Sequence, residues 1–153
     1  MRVVIQRVSQ ASVQVDSNLI SSISEGLLIL LGVENNDTTD DIACLIKKIA
    51  NLRIFSDQNG KMNHSIKDVK GEIIVVSQFT LYAKTNKGNR PSYINAAKSE
   101  IAIPLYNKFI SKLSTESEQK VYSGKFGAEM KVKLINDGPV TIILDSISTC
   151  PVK

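Results

Sequence analysis

Short apolar runs and a period-two alternation of apolar and polar residues dominate the chain, and both patterns are typical of β-strands. Residues 27–33 are apolar apart from Gly32, which is typical of a strand covered on both faces. Residues 72–79 follow Gly71 and give the strongest strand pattern. The segments that we predict as strands are 1–8, 11–15, 19–23, 27–33, 53–55, 72–79, 119–122, 130–135 and 140–145.

Two segments repeat their apolar residues at helical spacing. The first begins near Thr38 and Asp41, which can form a capping box, and the basic residues towards its end suit the helix dipole. The second covers 99–113, with Pro104 in its first turns or at a kink. The apolar positions are Ile42, Leu45, Ile46, Ile49 and Leu52 in the first helix, and Ile101, Leu105, Phe109, Ile110 and Leu113 in the second.

The segment Asn136-Asp137-Gly138-Pro139 consists of turn-forming residues and separates the last two predicted strands. A plain hairpin connection is the interpretation that the local pattern favours. A glycine before a proline is also a position where a cis peptide bond can persist, and such a bond points two successive carbonyl groups in an unusual direction. The segment is therefore a candidate for recognising the shape of a small ligand.

The predicted elements do not alternate regularly between strand and helix. Most strands are joined by hairpins, and the sequence contains no linker, internal repeat or low-complexity tract. We therefore predict a single domain, 1–153, of mixed α/β class. Largely antiparallel sheets would form a barrel-like core, with two helices packed on one side.

Composition and charge limit the possible environments. The 153 residues are 42% hydrophobic and 22% charged, which is enough to bury a core without a metal or a disulfide. No apolar run approaches the roughly 20 residues that cross a bilayer, and the N-terminal residues lack the pattern of a targeting peptide. We expect a cytoplasmic protein with no membrane association. The net charge of +4 is compatible with a polyanionic partner but does not require one.

Residue counts exclude several chemistries. His64 is the one histidine, and Cys44 and Cys150 form no CxxC pair, so the usual zinc ligands are missing and we expect neither metal nor cofactor. A Ser-His-Asp or Cys-His arrangement would depend on His64, whose polar surroundings are typical of a surface loop. Cys44 falls on the apolar face of the first predicted helix, where we expect it in the core and not in a disulfide.

The predicted strand 72–79 runs directly into side chains that form hydrogen bonds, in Ser77-Gln78-Phe79-Thr80-Leu81-Tyr82-Ala83. The end of a strand is a rigid platform, and polar groups there are often held for a ligand. The alternative is a strand that simply reaches the surface, with Gln78 and Thr80 in contact with water. The local pattern alone favours this alternative.

Taken together, Ser77–Leu81 and Asn136–Thr141 resemble the two signature motifs of the D-aminoacyl-tRNA deacylases. Either motif alone would be weak evidence, but the resemblance continues in the same order over about the first 147 residues. The further matching segments are Met1–Val8, Gly60–Asn63, Lys87–Ser92 and Gly124–Met130. Tyr93 departs from the family by standing where a phenylalanine is more usual, and it lies outside both motifs.

The resemblance implies a hydrolase that cleaves the ester between a D-amino acid and the terminal adenosine of tRNA, and that also removes glycine wrongly attached to tRNA for alanine. It implies a homodimer in which Gly138 and Pro139, joined by a cis bond, enter the pocket of the other subunit and reject L side chains. Arg7 resembles the arginine that steadies this loop, and its alternative is a surface residue at a strand edge. Ser77 and Asn136 belong to the two motifs and would help to bind the substrate.

The resemblance also assigns catalytic positions around the scissile ester to Gln78, Phe79 and Thr80. The backbone N–H groups of Phe79 and Thr80 are candidates to stabilise the developing oxyanion. No base is placed in the sequence to activate the Thr80 hydroxyl, so the resemblance favours hydrolysis assisted by the 2′-hydroxyl of the tRNA. Positions that match the pocket wall, and that core packing explains equally well, are Ala102, Phe126 and Met130.

Two other classes of function stay open at this point. A non-catalytic RNA-binding module would use Lys84, Lys87, Arg90 and the stretch 125–133 as a track for phosphates, although such basic loops are often only solvated connections. A general esterase would use Thr80 as a covalent nucleophile.

Overall fold

The computed structural model describes residues 1–150 and contains eight strands, three α-helices and one 3-10 helix. The strands are β1 Arg2–Val15, β2 Asn18–Ile23, β3 Gly26–Gly32, β4 Phe55–Ser56, β5 Met62–His64, β6 Glu72–Ser77, β7 Val121–Ser123 and β8 Lys131–Asp145. The helices are α1 Thr39–Ala50, α2 Ser99–Ser117 and α3 Ser146–Thr149, and the 3-10 helix is Phe79–Tyr82. Within these residues, no helix is both long and apolar enough to cross a membrane.

Six of the strands form one sheet around the long strand β1. The order is β2-β1-β3-β6-β7, and β8 also pairs with β1. Strand β1 runs antiparallel to β2, β3 and β8, whereas β3, β6 and β7 are mutually parallel neighbours. The sheet is nearly closed, so the predicted mixed α/β class with a barrel-like core is confirmed.

The central strands β3 and β6 are buried on both faces, as the unbroken apolar run predicted. Alternate side chains enter two separate clusters: Leu27 and Ile73 face the helices, whereas Leu28 and Ile74 face the opposite side of the sheet. Each face of these strands is therefore covered by other parts of the chain, which explains why neither strand shows polar alternation.

Local signals set the ends of the first helix. The Thr38 hydroxyl accepts a hydrogen bond from Asp40 N, and the Asp41 carboxylate accepts one from Thr38 N, which completes the predicted capping box. Ile42 and Leu45 are fully buried against the sheet. Helices α1 and α2 also pack against each other.

The buried face of α2 differs from the prediction. Ile101 is 40% exposed, and the helix buries Ala102 and Tyr106 together with the predicted Phe109 and Leu113. The prediction relied on the large apolar residues, whereas in the structure the small Ala102 and the amphipathic Tyr106 face the interior. The predicted face was therefore partly wrong, and the observed face brings Tyr106 to the candidate site beside the expected Ala102.

Strand β8 replaces the tight turn that we predicted at 136–139. Both halves of β8 pair with β1 in the same direction, with Val8 opposite Asn136 and Gln6 opposite Thr141. Between these pairs, Arg7 alone faces the residues 137–140. The hairpin interpretation was therefore wrong: the segment is a wide bulge within one strand.

The cysteines also depart from the expectation. Cys44 on α1 is half-buried and forms a disulfide with Cys150, which follows α3, across a Cα–Cα distance of 6.2 Å. The two residues are 106 positions apart in the sequence. Sequence spacing could not reveal this pair, because only the packing of α3 against α1 brings the two side chains together.

Candidate active site

A cavity of about 70 Å³ opens where the parallel strands β3 and β6 reach their carboxyl ends. Chain segments diverge at such an edge and leave a crevice, which is a common place for ligands. The cavity has room for several water molecules. Its lining residues are Leu31, Val33, Ser77, Gln78, Phe79, Ala97, Ala102, Tyr106, Phe126 and Gly127.

The 3-10 helix that follows β6 lies directly against the end of β3. Gln78 N donates a hydrogen bond to Leu31 O at 2.8 Å, which continues the pairing of the two strands. A Cβ atom at Gly32 would lie 3.1 Å from Leu81 Cβ and 3.2 Å from Gln78 O. Glycine therefore permits a close approach of the two backbones here, and this approach allows the 3-10 helix to pack directly against the end of β3.

Two backbone donors at the start of this helix have no acceptor. Within residues 1–150, neither Phe79 N nor Thr80 N donates a hydrogen bond to the protein. The first N–H groups of any helix lack intrahelical partners, so the local geometry itself leaves them free. The Gln78 side chain lies beside them and donates to Thr80 Oγ1 at 2.6 Å. Free N–H pairs of this kind can stabilise an oxyanion.

The opposite wall of the cavity comes from α2 and from the segment after β7. Tyr106 is 3% exposed, and its hydroxyl donates to Val75 O at 2.8 Å. Its ring meets Phe126 edge to face, with centroids 5.6 Å apart. Burial raises the pKa of Tyr106 to about 12. Of the lining residues in the described part of the chain, Tyr106 alone has a titratable side chain, so these residues offer no base at neutral pH.

The basic loop after the 3-10 helix closes back on itself beside the cavity. Lys84 and Ser92 exchange two backbone hydrogen bonds of 2.8 and 2.9 Å, and Ala97 N donates to Val33 O at 2.9 Å. Tyr93 packs edge to face on Phe79, with ring centroids 5.0 Å apart. Phe79 nevertheless stays 56% exposed, so an aromatic surface borders the mouth of the cavity.

The second motif, residues 136–141, forms an exposed projection that lies apart from the cavity. The peptide bond between Gly138 and Pro139 is cis. Arg7 is 8% exposed, and its guanidinium donates to Asp137 O at 2.9 Å and to Ile54 O at 2.6 Å. The structure thus assigns Arg7 an internal position behind the bulge and not the alternative role of a surface residue at a strand edge.

Asn136 closes the base of the same bulge. Its side chain accepts a hydrogen bond from Val140 N at 2.7 Å and donates to Thr141 Oγ1 at 2.9 Å. Gly138 has a φ of +129°, and a Cβ atom there would lie 2.8 Å from Arg7 Nη2. The projection is therefore held from two sides, and its backbone conformation requires glycine.

The predicted site residues fall into two groups and one outlier. Those that line the cavity are Ser77, Gln78, Phe79, Ala102 and Phe126, with Thr80 next to them in the 3-10 helix. Those that build the projection are Arg7, Asn136, Gly138 and Pro139, and none of them lines the cavity of its own chain. Met130 packs against the second apolar cluster, and its Sδ would lie 2.6 Å from a Cβ atom at Gly124.

Sequence reasoning missed five lining residues: Leu31, Val33, Ala97, Tyr106 and Gly127. Of these five, Tyr106 could have been predicted from the sequence. It follows helical spacing with Ala102, Phe109 and Leu113 as well as the residues of the predicted face do. His64 lies in β5 and does not line the cavity. Among residues 1–150, no group of three or more His, Cys, Asp or Glu side chains could hold a metal ion.

Comparison with known proteins bears directly on this site. The family model described as D-Tyr-tRNA(Tyr) deacylase matches residues 4–145, which include the cavity and the projection. The chain belongs to this deacylase family. The resemblance inferred from the two motifs is thereby confirmed.

Curated members of the deacylase family are similar over nearly their whole length. The D-aminoacyl-tRNA deacylase of Flavobacterium psychrophilum is 66% identical over 146 residues, covering 95% of this chain and 97% of that protein. The D-aminoacyl-tRNA deacylase of Bacteroides fragilis is 59% identical over the same shares of both chains.

Solved structures share the fold of this deacylase chain. A structure described as c-Myc DNA unwinding element binding protein is 43% identical, covers 95% of this chain and 98% of its own, and has a TM-score of 0.88. A probable eukaryotic D-amino acid tRNA deacylase has a TM-score of 0.80 at 16% identity, over 94% of this chain and 97% of its own. The second likeness supports the fold alone.

Proposed function

We propose that this protein hydrolyses the ester that joins a D-amino acid to the 3′-hydroxyl of the terminal adenosine of tRNA, and that it also removes glycine from tRNA for alanine. The observation that carries the proposal is the pair of free N–H groups at Phe79 and Thr80 beside a cavity. The family to which the chain belongs gives the substrate class, and the curated relatives are named for the same ester.

The chemistry needs few protein side chains. Water attacks the ester carbonyl carbon, and the N–H groups of Phe79 and Thr80 stabilise the oxyanion that forms. The neighbouring 2′-hydroxyl of the tRNA orients the water and passes on its proton. The bond between the carbonyl carbon and the 3′-oxygen then breaks, the 3′-oxygen takes up a proton, and the free amino acid leaves. The lining residues, of which only Tyr106 titrates, fit a reaction in which the substrate supplies the relay.

In this proposal, the projection of a second subunit enters the cavity and selects between D and L substrates. The carbonyl groups of Gly138 and Pro139 would crowd an L side chain and leave room for a D side chain or for glycine. Both residues are exposed, and neither lines the cavity of its own chain. Arg7 and Asn136 hold the projection in shape, so it is ready to enter a partner without reorganisation.

The outer face of β8 supports a homodimer. Among residues 1–150, strand β8 pairs with β1 alone, so its other edge is open within this part of the chain. Ile135 and Ile143 flank the projection and are 51% and 66% exposed. An open edge with exposed apolar side chains is typical of an interface. Pairing two copies through this face would cover the apolar residues and present each projection to the other chain.

A nucleic-acid-binding protein without catalytic activity is the second candidate. The structural relative named for binding a DNA unwinding element is 43% identical, and the exposed loop that carries Lys84, Lys87 and Arg90 could contact phosphates. This candidate gives no role to the cavity that lies beside the free N–H groups of the 3-10 helix. We therefore rank hydrolysis first, and we propose that it takes place in the cytoplasm, where charged tRNA is used.

The deciding experiment is turnover of matched esters. Purified protein is incubated with D-tyrosyl-tRNA, L-tyrosyl-tRNA and glycyl-tRNA for alanine, and ester loss is followed over time. We expect acceleration for the D and glycyl esters and none for the L ester. Binding of tRNA without acceleration for any ester would support the second candidate, and equal rates for D and L esters would overturn the assignment of chiral selection.

A further inference from the structure

Arg2 connects the edge of the sheet to the 3-10 helix that carries the free N–H groups. Its Nη1 atom donates to Leu81 O at 2.7 Å. Its Nε and Nη2 atoms donate to Asp145 Oδ2 at 3.0 and 2.8 Å. The guanidinium also lies over the Tyr82 ring, with Cζ 5.0 Å from the centroid. Each of the three guanidinium nitrogens thus donates one hydrogen bond, and the acceptors belong to two separate elements of the fold.

We propose that Arg2 is a positioning residue for catalysis, which holds the 3-10 helix so that Phe79 N and Thr80 N point at the reacting ester. This inference rests on the proposed hydrolysis. Leu81 and Tyr82 directly follow the two oxyanion donors, so a contact to them limits the rotation of the whole turn. Arg2 does not line the cavity and would act only through this turn.

The helix is fixed at both ends by different means. Gln78 N is tied to Leu31 O at the start of the turn, as part of the sheet. At the two ends of the turn, Leu81 N donates to Gln78 O at 3.3 Å and Ala83 N donates to Thr80 O at 3.0 Å. Short 3-10 segments have poorer hydrogen-bond geometry than α-helices and gain little stability by themselves. Arg2 adds an attachment from outside the turn, at its far end.

Asp145 is the anchor of this arrangement. Arg2 and Asp145 are register partners on β1 and β8, so the sheet holds their backbones opposite each other. The second carboxylate oxygen, Asp145 Oδ1, accepts from Ile147 N at 3.1 Å and caps α3. Position 2 requires arginine, because a lysine ammonium lacks the planar set of donors that binds the Asp145 carboxylate and Leu81 O at the same time.

The experiment compares Arg2→Gln and Arg2→Lys with Arg53→Gln. Arg53 is a matched control, because it also donates to two acceptors, Asn63 O at 2.8 Å and Asn63 Oδ1 at 3.0 Å, and lies outside the cavity. Steady-state kinetics on D-tyrosyl-tRNA and amide hydrogen exchange of the segment 78–83 are measured for each protein. Asp145→Asn serves as a second variant that weakens the same contact from the other side.

We expect Arg2→Gln to lower kcat by about tenfold to a hundredfold with KM within about threefold, since a small displacement of donors acts on the transition state. Exchange at 78–83 should rise by about tenfold while the strands keep their protection. Arg2→Lys should fall between wild type and Arg2→Gln, Asp145→Asn should change in the same direction, and Arg53→Gln should match wild type.

Three results would overturn the inference: unchanged kcat in Arg2→Gln, unchanged exchange at 78–83, or a rise in exchange spread evenly over the sheet. The exchange measurement needs no substrate. If wild-type protein fails to hydrolyse any ester while 78–83 opens selectively in Arg2→Gln, the proposed reaction is wrong but Arg2 still anchors the turn.

Discussion

The side-chain amide of Gln78 donates a hydrogen bond to the hydroxyl oxygen of Thr80 at 2.6 Å. The contact occupies the oxygen that a covalent mechanism would use as the nucleophile. No residue that lines the cavity can take up the hydroxyl proton at neutral pH, because burial raises the pKa of Tyr106, the one titratable lining residue, to about 12. The relationship between these two side chains therefore indicates support of the turn and not nucleophilic attack.

Replacing Thr80 by valine should leave most of the activity, because the variant removes the hydroxyl and keeps the backbone donor. We expect kcat on D-tyrosyl-tRNA to fall by less than about tenfold. On D-tyrosyl-tRNA that ends in 2′-deoxyadenosine, kcat should instead fall by about 10²- to 10⁴-fold, because an acid–base group usually contributes a factor of this size. Rapid-quench measurement of ester loss checks both, and complete loss in Thr80→Val would favour the covalent mechanism.

Replacing Gly138 by alanine should displace the projection, because the new Cβ would lie 2.8 Å from Arg7 Nη2 and glycine alone tolerates the φ of +129°. We expect hydrolysis of L-tyrosyl-tRNA to rise by about tenfold or more. The D ester should remain a substrate, since the cavity of each chain is unchanged. The ratio of the two kcat/KM values measures the effect.

Mixing Gly138→Ala protein with Ala102→Phe protein tests which subunit supplies the projection. Ala102→Phe fills the cavity but leaves the projection intact. If the projection acts across the dimer, an excess of Ala102→Phe chains should restore rejection of the L ester in Gly138→Ala chains. Persistent hydrolysis of the L ester after subunit exchange would show that each chain uses its own projection.

Replacing Ile143 by lysine should break the proposed dimer. Ile143 is 66% exposed on the open edge strand, and a charge there would be desolvated in an interface. The mass in solution should fall from about twice 16.8 kDa to about 16.8 kDa, with loss of chiral selection. Light scattering gives the mass, and Ile94→Lys is the control, because Ile94 is 76% exposed on the basic loop. A wild-type mass near 16.8 kDa would contradict the dimer.

Replacing Tyr106 by phenylalanine should lower the free energy of unfolding by about 1 kcal/mol at pH 8, because Val75 O loses its donor. The pKa of Tyr106 is raised from about 10 when unfolded to about 12 when folded, so its contribution is complete below pH 10 and is lost between pH 10 and 12. The difference between wild type and variant should therefore shrink above pH 10. Urea titrations at pH 8, 10 and 11 test this, and a constant difference would contradict the raised pKa.

Reducing the Cys44–Cys150 disulfide should lower stability without changing kcat. The bond closes a loop of 106 positions, and disulfides in general typically stabilise a protein by about 2–4 kcal/mol; neither cysteine lines the cavity. Thermal unfolding with and without dithiothreitol measures the shift. The double variant Cys44→Ser/Cys150→Ser should not respond to the reductant. An unchanged melting temperature in wild type would show that the bond does not form in solution.

Much of the fold could be predicted where the signal is local. The capping box at Thr38 depends on residues within one turn, and the burial of 27–33 on both faces is visible in its composition. The prediction failed at 136–139, because turn-forming residues are common to a hairpin and to a bulge. What distinguishes them is the partner strand, and β1 lies more than a hundred residues earlier in the chain.

Local pattern was enough to predict the class of fold, the family and the two motifs that contribute the 3-10 helix and the projection, because motifs and periodicity are properties of neighbouring residues. The tertiary structure was needed to show that the projection lies outside the cavity of its own chain, that Leu31, Val33 and Ala97 line the cavity, and that Cys44 meets Cys150. Each of these depends on contacts between distant segments, and those contacts are set by the packing of the whole sheet and not by local pattern.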